Sequence, residues 1–158
     1  MKINRGNEAW HTDSTYRPIS SKVAMLSAVK LPSSGGQTEF ADMRAGYATL
    51  PESMKEMIAG YAAYHSTVFS QANDLGHFPE IKPDSIYHGE AYLRPLVKTH
   101  PETGVKNLLI GRHAFGIPGL SRDESRSLLD QLMAHVLSDE SRVYSHEWRE
   151  GDLSLIHI

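Results

Sequence analysis

The sequence predicts a mostly β chain of α+β character, interrupted by two helices, and three observations carry that expectation. Residues 23–31, VAMLSAVKL, are almost continuously apolar, the pattern of a strand buried on both faces. Residues 93–111, LRPLVKTHPETGVKNLLIG, make two extended runs around Thr103 and Gly104, the signature of a hairpin. Against these, residues 51–65 and 121–137 repeat their apolar positions at helical spacing.

In chain order, residues 10–16 (WHTDSTY) suit a short strand that Arg17 and Pro18 end. After the apolar run, PSSGG at 32–36 marks a turn, and QTEFADM at 37–43 resumes an extended pattern. In PESMKEMIAGYAAYH the residues Met54, Met57, Ile58, Tyr61 and Ala62 share a helical face, with Ser53 and Glu56 spaced as a capping box. Residues 71–92 are polar, with Gly, Pro and Asp scattered through them, and read as a long loop or lid. The clearest helix is SRDESRSLLDQLMAHVL. Ser121 and Glu124 form its S-x-x-E box, and Leu128, Leu129, Leu132, Val136 and Leu137 its apolar stripe. RVYSHEW returns to strand, REGD turns, and LSLIHI begins another strand.

The 158 residues suffice for one domain with a core and not for two comfortable ones. Forty per cent apolar and 22% charged residues place the chain among ordinary soluble proteins. Sixteen basic against 19 acidic residues, a net charge of −3, give no general pull toward nucleic acid or membrane. Without cysteine there are no disulfides, thiolate metal sites or Cys nucleophiles. No apolar run reaches membrane-spanning length, and MKINRGNEAW lacks the apolar core of a signal peptide. The expectation is a cytoplasmic protein. A homo-oligomer is left open.

The chemistry concentrates at His11 and Asp13. On a strand, residues i and i+2 point to one face, so an imidazole and a carboxylate there can reach one metal ion. Such ligands suit Fe(II), Mn(II) or Zn(II), and one more histidine would complete a two-His-one-carboxylate triad with open positions. The spacing alone is weak, since His88 and Glu90, and His100 and Glu102, share it in a chain of nine histidines. Pro101 at the expected bend and Gly89 in the expected loop argue against those two pairs.

Context separates the three. WHTDSTYRP, followed by AMLSAVKLPSSGGQTEFADMRAGYATLP and later by LVKTHPETGVKNLLIGRHA and VYSHEWREGDL, resembles the taurine/2,4-dichlorophenoxyacetate dioxygenase family, its aryloxyalkanoate-degrading branch above all. The resemblance covers most of the chain. It implies a double-stranded β-helix (jelly-roll) with helical insertions, incomplete here, with residues 1–158 one partial domain. It implies an enzyme that uses Fe(II), 2-oxoglutarate and O₂ to hydroxylate a small anionic organic substrate of aryloxyalkanoate or sulfonate type, releasing succinate and CO₂. By position, His11 and Asp13 match two iron ligands. Thr38 matches the threonine that hydrogen-bonds the distal carboxylate of 2-oxoglutarate; an ordinary strand threonine is the alternative. Asn7 and His113 fall where related enzymes have substrate-side residues, although His113 also suits a satisfied rim histidine. Arg112 could serve an anionic substrate but reads rather as a solvated charge, Trp10, Phe40, Tyr144 and Trp148 read as packing residues, and His65 and His146 as structural.

The chain departs from the family's pattern after GDL. There the family continues with WDN, a second histidine ligand and an arginine for 2-oxoglutarate, whereas this chain reads GDLSLIHI. His157 comes too early for that ligand and reads as accidental. The expectation is half an iron site, with the strands before His11 missing as well. The alternatives are a non-catalytic β-domain that binds metal weakly or not at all, and a Zn- or Mn-binding cupin-like hydrolase or isomerase.

Overall fold

The computed structural model describes residues 9–76 and 90–157. Asn7 and the His88 pair lie outside them. Nine strands are described: β1 (Val23–Ser27), β2 (Thr38–Ala41), β3 (Ala62–His65), β4 (Tyr92–Pro95), β5 (Val97–Thr99), β6 (Lys106–Leu108), β7 (Ala114–Phe115), β8 (Val143–His146) and β9 (Leu153–His157). Four helices accompany them: α1 (Met43–Ala48), α2 (Glu52–Ile58), α3 (Thr67–Leu75) and α4 (Arg122–Leu137).

Among the described residues every pairing is antiparallel, and the order is nested. β1 pairs β9, β2 pairs β8 inside them, and the β4-β3-β7 sheet and β5-β6 hairpin lie between in sequence. Such nesting is what a long hairpin gives when it is wound up on itself. The β5–β6 hairpin forms where the Thr103-Gly104 signal places it, with Gly104 at φ 72°. The His100 ring caps that bend by accepting from the backbone N–H groups of Glu102 (3.2 Å) and Thr103 (3.3 Å), and Glu102 pairs with Lys22. The HPE motif is therefore a turn and not a ligand pair.

α4 forms as expected, with the Ser121–Glu124 box closed at both ends. Its Leu128, Leu132 and Val136 pack with Leu50, Ile58, Ala63, Leu96, Leu108, Ile110, Ala114 and Ile117 into the core. α1 crosses α4 at Gly46, where an added Cβ would lie 2.6 Å from Val136 Cγ2. Only a glycine lets the helices approach so closely.

Five local expectations are corrected. Residues 10–16 are not a strand: Asp13 to Tyr16 make a turn, with Ser14 at φ 64°. β1 is not buried on both faces, since Val23, Met25 and Leu26 are exposed and among the described residues it pairs only with β9. The Ser53–Glu56 box does not form, because α2 starts two residues earlier than that box requires, behind Pro51, without a side-chain cap. The helical pattern of 51–65 also hides a boundary. α2 ends at Ile58, and residues 62–65 turn extended to pair with β4 and β7. Finally, α1 and α3 arise from caps that the periodicity missed. Asp42 accepts from Arg44 and Ala45 N–H, and Ser66 from Phe69 N–H.

Candidate metal centre

His11 sits on an irregular segment held by backbone contacts. Arg112 N–H donates to the Trp10 carbonyl (2.9 Å), and a Cβ on Gly111 would meet Trp10 O at 3.0 Å and His11 Cα at 3.1 Å. Gly111 has φ 136°, which L side chains rarely adopt. The chain after Asp13 is clasped from β4: Arg94 Nε donates to the Thr15 carbonyl (3.0 Å), and its Nη2 to those of Pro18 (3.2 Å) and Arg17. From β3, the buried His65 ring bonds the Thr15 hydroxyl (2.9 Å). The turn thus replaces the expected strand, yet it brings the two side chains to one point. His11 Nε2 and Asp13 Oδ1 are 3.3 Å apart.

The tautomer follows from the other ring nitrogen. His11 Nδ1 lies 2.7 Å from the Ala9 carbonyl, which can only accept, so Nδ1 carries the proton. A neutral His11 then turns a lone pair toward a carboxylate. Two acceptors at that distance repel, and a proton or a cation between them removes the repulsion. Without metal the contact with Asp13 favours a proton there. The bond to Asp13 holds His11 above its ordinary value against the opposing effect of burial, and the bond from His11 holds Asp13 below the usual carboxylate range. A divalent metal would displace that proton, and imidazole plus carboxylate suits first-row metals. The Ala9 carbonyl supplies the outer contact that metal-ligating histidines use to orient the ring. Among the described residues no group of three or more His, Cys, Asp or Glu has the placement to hold a metal ion.

His113 lines the same place, its ring 5.8 Å from His11 and 4.8 Å from Tyr16. It lies in the turn between Gly111 and β7, buried, and burial pushes its pKa down to about 3. Its Nδ1 meets Ser70 Oγ at 2.9 Å, and Ser70 Oγ also donates to the Thr67 carbonyl at 3.0 Å. A serine has one proton, so satisfying both contacts makes His113 Nδ1 the donor and leaves Nε2 an acceptor. Arg112 is not solvated: it is half-buried beside Ser70, with Nη2 3.5 Å from the Ser70 carbonyl.

Thr38 lies elsewhere in the bonding pattern. It starts β2 directly opposite His146 of β8, and among the described residues no hydrogen bond, ion pair or ring contact links it to His11 or Asp13. Trp148 Nε1–H donates to its hydroxyl at 2.8 Å. Trp148 is therefore more than packing. Arg94, Gly111 and Ser70 escaped the sequence, and Trp148 was read there only as packing. Gly111, between an apolar run and Arg112-His113, was the one with a local signal.

The chain matches the model of the Taurine catabolism dioxygenase TauD, TfdA family over residues 1–157. It belongs to this family. It is 49% identical over 160 residues to a "(S)-phenoxypropionate/alpha-ketoglutarate-dioxygenase" of Sphingobium herbicidovorans, covering 98% of this chain and 55% of that protein. It is 40% identical over 152 residues to the "Alpha-ketoglutarate-dependent 2,4-dichlorophenoxyacetate dioxygenase" of Burkholderia sp. (strain RASC), covering 95% and 50%. The crystal structure of AAD-2 in complex with Mn(II) and N-oxalylglycine superposes with a TM-score of 0.87 at 37% identity, covering 96% of this chain and 58% of that one. The chain spans about half the length of the curated relatives it matches. The nested antiparallel strands are thus the jelly-roll of TauD-type dioxygenases, with the helices inserted between strands. No described helix is long and apolar enough to cross a membrane.

Proposed function

We propose that this chain is part of a cytoplasmic Fe(II)- and 2-oxoglutarate-dependent dioxygenase that hydroxylates a small anionic substrate of the aryloxyalkanoate class, and that residues 1–158 are one partial domain of it. The observation that carries this is the approach of His11 Nε2 to Asp13 Oδ1 at 3.3 Å, with Nδ1 committed to the Ala9 carbonyl. Alpha-ketoglutarate, which is 2-oxoglutarate, stands in the names of the relatives, and the AAD-2 complex holds Mn(II) and an analogue of that oxo acid. Iron bound by His11 and Asp13 would supply the activation of O₂ that couples 2-oxoglutarate decarboxylation to oxidation of a C–H bond.

The chain's own residues hold and orient. His11 and Asp13 provide two donors. Thr38 donates its hydroxyl proton to the distal carboxylate of 2-oxoglutarate, and His113 serves the substrate, as does Asn7, which lies outside the described residues. In its present tautomer His113 Nε2 accepts, so it meets an anion only after the Ser70 hydroxyl turns from Thr67 to the imidazole. The buried Ser70, Thr67 and His113 also limit water behind the ligand pair. Hydroxylation beside the ether oxygen of a 2-aryloxypropionate gives a hemiketal. It breaks to a phenol and pyruvate, while 2-oxoglutarate becomes succinate and CO₂.

The test is to supply Fe(II), 2-oxoglutarate and O₂ with 2-phenoxypropionate and measure succinate and phenol, and in parallel with an alkyl sulfate and measure succinate and released sulfate. Succinate and phenol in equal amounts, lost in His11→Ala, is the expected result. A second reading is a non-catalytic domain that binds metal weakly, favoured by the two-donor set among the described residues. Folded, metal-loaded chain that forms no succinate with any of these anions would select it.

A further inference from the structure

We infer that Trp148 is a positioning residue for Thr38: its indole N–H occupies one lone pair of the threonine oxygen and thereby leaves the hydroxyl proton to point at an incoming carboxylate. The inference rests on the proposed reading of Thr38 as a contact for 2-oxoglutarate. A threonine hydroxyl has one donor and two acceptor sites, whereas an indole N–H can only donate. The 2.8 Å contact between Trp148 Nε1 and Thr38 Oγ1 therefore has one possible direction. Among the described residues the Thr38 hydroxyl has no acceptor of its own, so its proton is uncommitted.

The indole is held in place by a relay of fixed groups. Its ring stands edge-on to His146 at 4.6 Å and 88°. His146 Nδ1 meets the Tyr144 hydroxyl at 3.0 Å, and its Nε2 meets Asp152 Oδ2 at 3.2 Å. The same carboxylate oxygen accepts from Arg149 N–H at 2.8 Å, which closes the turn after Trp148. His146 also sits directly opposite Thr38 in the β2–β8 pair, where antiparallel partners share a face. The turn at 149–152 and the β8 strand thus aim a hydroxyl that would otherwise rotate freely. A donor fixed before the ligand arrives loses less freedom on binding.

The chain has two tryptophans, Trp10 and Trp148, so the ¹⁵N-labelled protein shows two indole N–H signals, and Trp148→Phe assigns them. With Zn(II) as a diamagnetic metal, 2-oxoglutarate should shift the Trp148 signal. Thr38→Val should move that signal toward a free indole and abolish the response. In calorimetry, Trp148→Phe should weaken 2-oxoglutarate about tenfold, the value of one hydrogen bond to a charged group. It should leave 2-oxobutyrate, which lacks the distal carboxylate, nearly unchanged, and add nothing to Thr38→Val. Equal 2-oxoglutarate affinity in Trp148→Phe and wild type would overturn the inference alone, as would equal losses for both oxo acids. Should Trp148→Phe fail to fold, an unmoved Trp148 signal in folded Thr38→Val would overturn it. Wild-type chain that binds metal but not 2-oxoglutarate would overturn the reading of Thr38 and this inference together.

Discussion

The β1–β9 ribbon and the helix-backed block around Leu132 both draw on strongly apolar sequence, yet one is open and the other closed. Leu132, Val136, Ile58 and Leu96 are buried under a layer of helices and strands. In the ribbon, Met25, Leu153 and Leu155 remain about two-thirds exposed. Apolar content is the same kind of signal in both, and a second packing layer decides its fate. The proposed ligand pair, His11 and Asp13, belongs to the closed side. Its segment has no regular secondary structure, but Gly111, Arg94 and His65, which grip it, stand on or beside β3, β4 and β7 of the block. Damage to the block should therefore reach the site, and damage to the ribbon should not.

Leu132→Ala should break the comparison hardest. It leaves a cavity in the closed core at a cost of about 2–5 kcal/mol, read by denaturant unfolding, and the metal site should loosen with it. Acid should act next, again through the block. Burial pushes His65 down to about 4 from an ordinary 6.5, so folded His65 stays neutral while the unfolded chain takes up a proton. Its contribution is complete above pH 6.5 and is lost as pH falls toward 4, on the order of 3 kcal/mol. His65→Asn, which keeps a donor toward Thr15, should flatten that part of the stability profile.

Arg94→Met sharpens the comparison, because it removes the clasp on the Thr15, Arg17 and Pro18 carbonyls while leaving the core filled. Metal affinity should fall about ten- to a hundredfold with far-UV circular dichroism unchanged. Leu155→Thr, on the ribbon, should do least. Stability should stay within about 0.5 kcal/mol, metal affinity should be unaltered, and solubility should rise. A loss of metal affinity in Leu155→Thr equal to that of Arg94→Met would end the division into two regions.

What could be read from the sequence was what local chemistry decides. The α4 box at Ser121 and Glu124 and the bend at Gly104 are short-range signals, and both formed. The pairing of His11 with Asp13 was also legible, although for the wrong backbone: a turn with Ser14 at φ 64° does what a strand was expected to do. Residues 62–65 continued a helical pattern into a strand because pairing with β4 and β7 outweighed local period. The exposure of β1 depends on what packs over it, which no window of sequence contains. Two of the long-range contacts join residues far apart, His65 to Thr15 across 50 positions and Trp148 to Thr38 across 110, and neither leaves a local trace.

The central claim, that His11 and Asp13 together hold a metal ion, is tested most directly by anaerobic titration of Fe(II) with 2-oxoglutarate into the 158-residue chain, following the visible charge-transfer band of such complexes. A saturable band that Asp13→Ala abolishes is the predicted result. A band that Asp13→Ala leaves unchanged would contradict it.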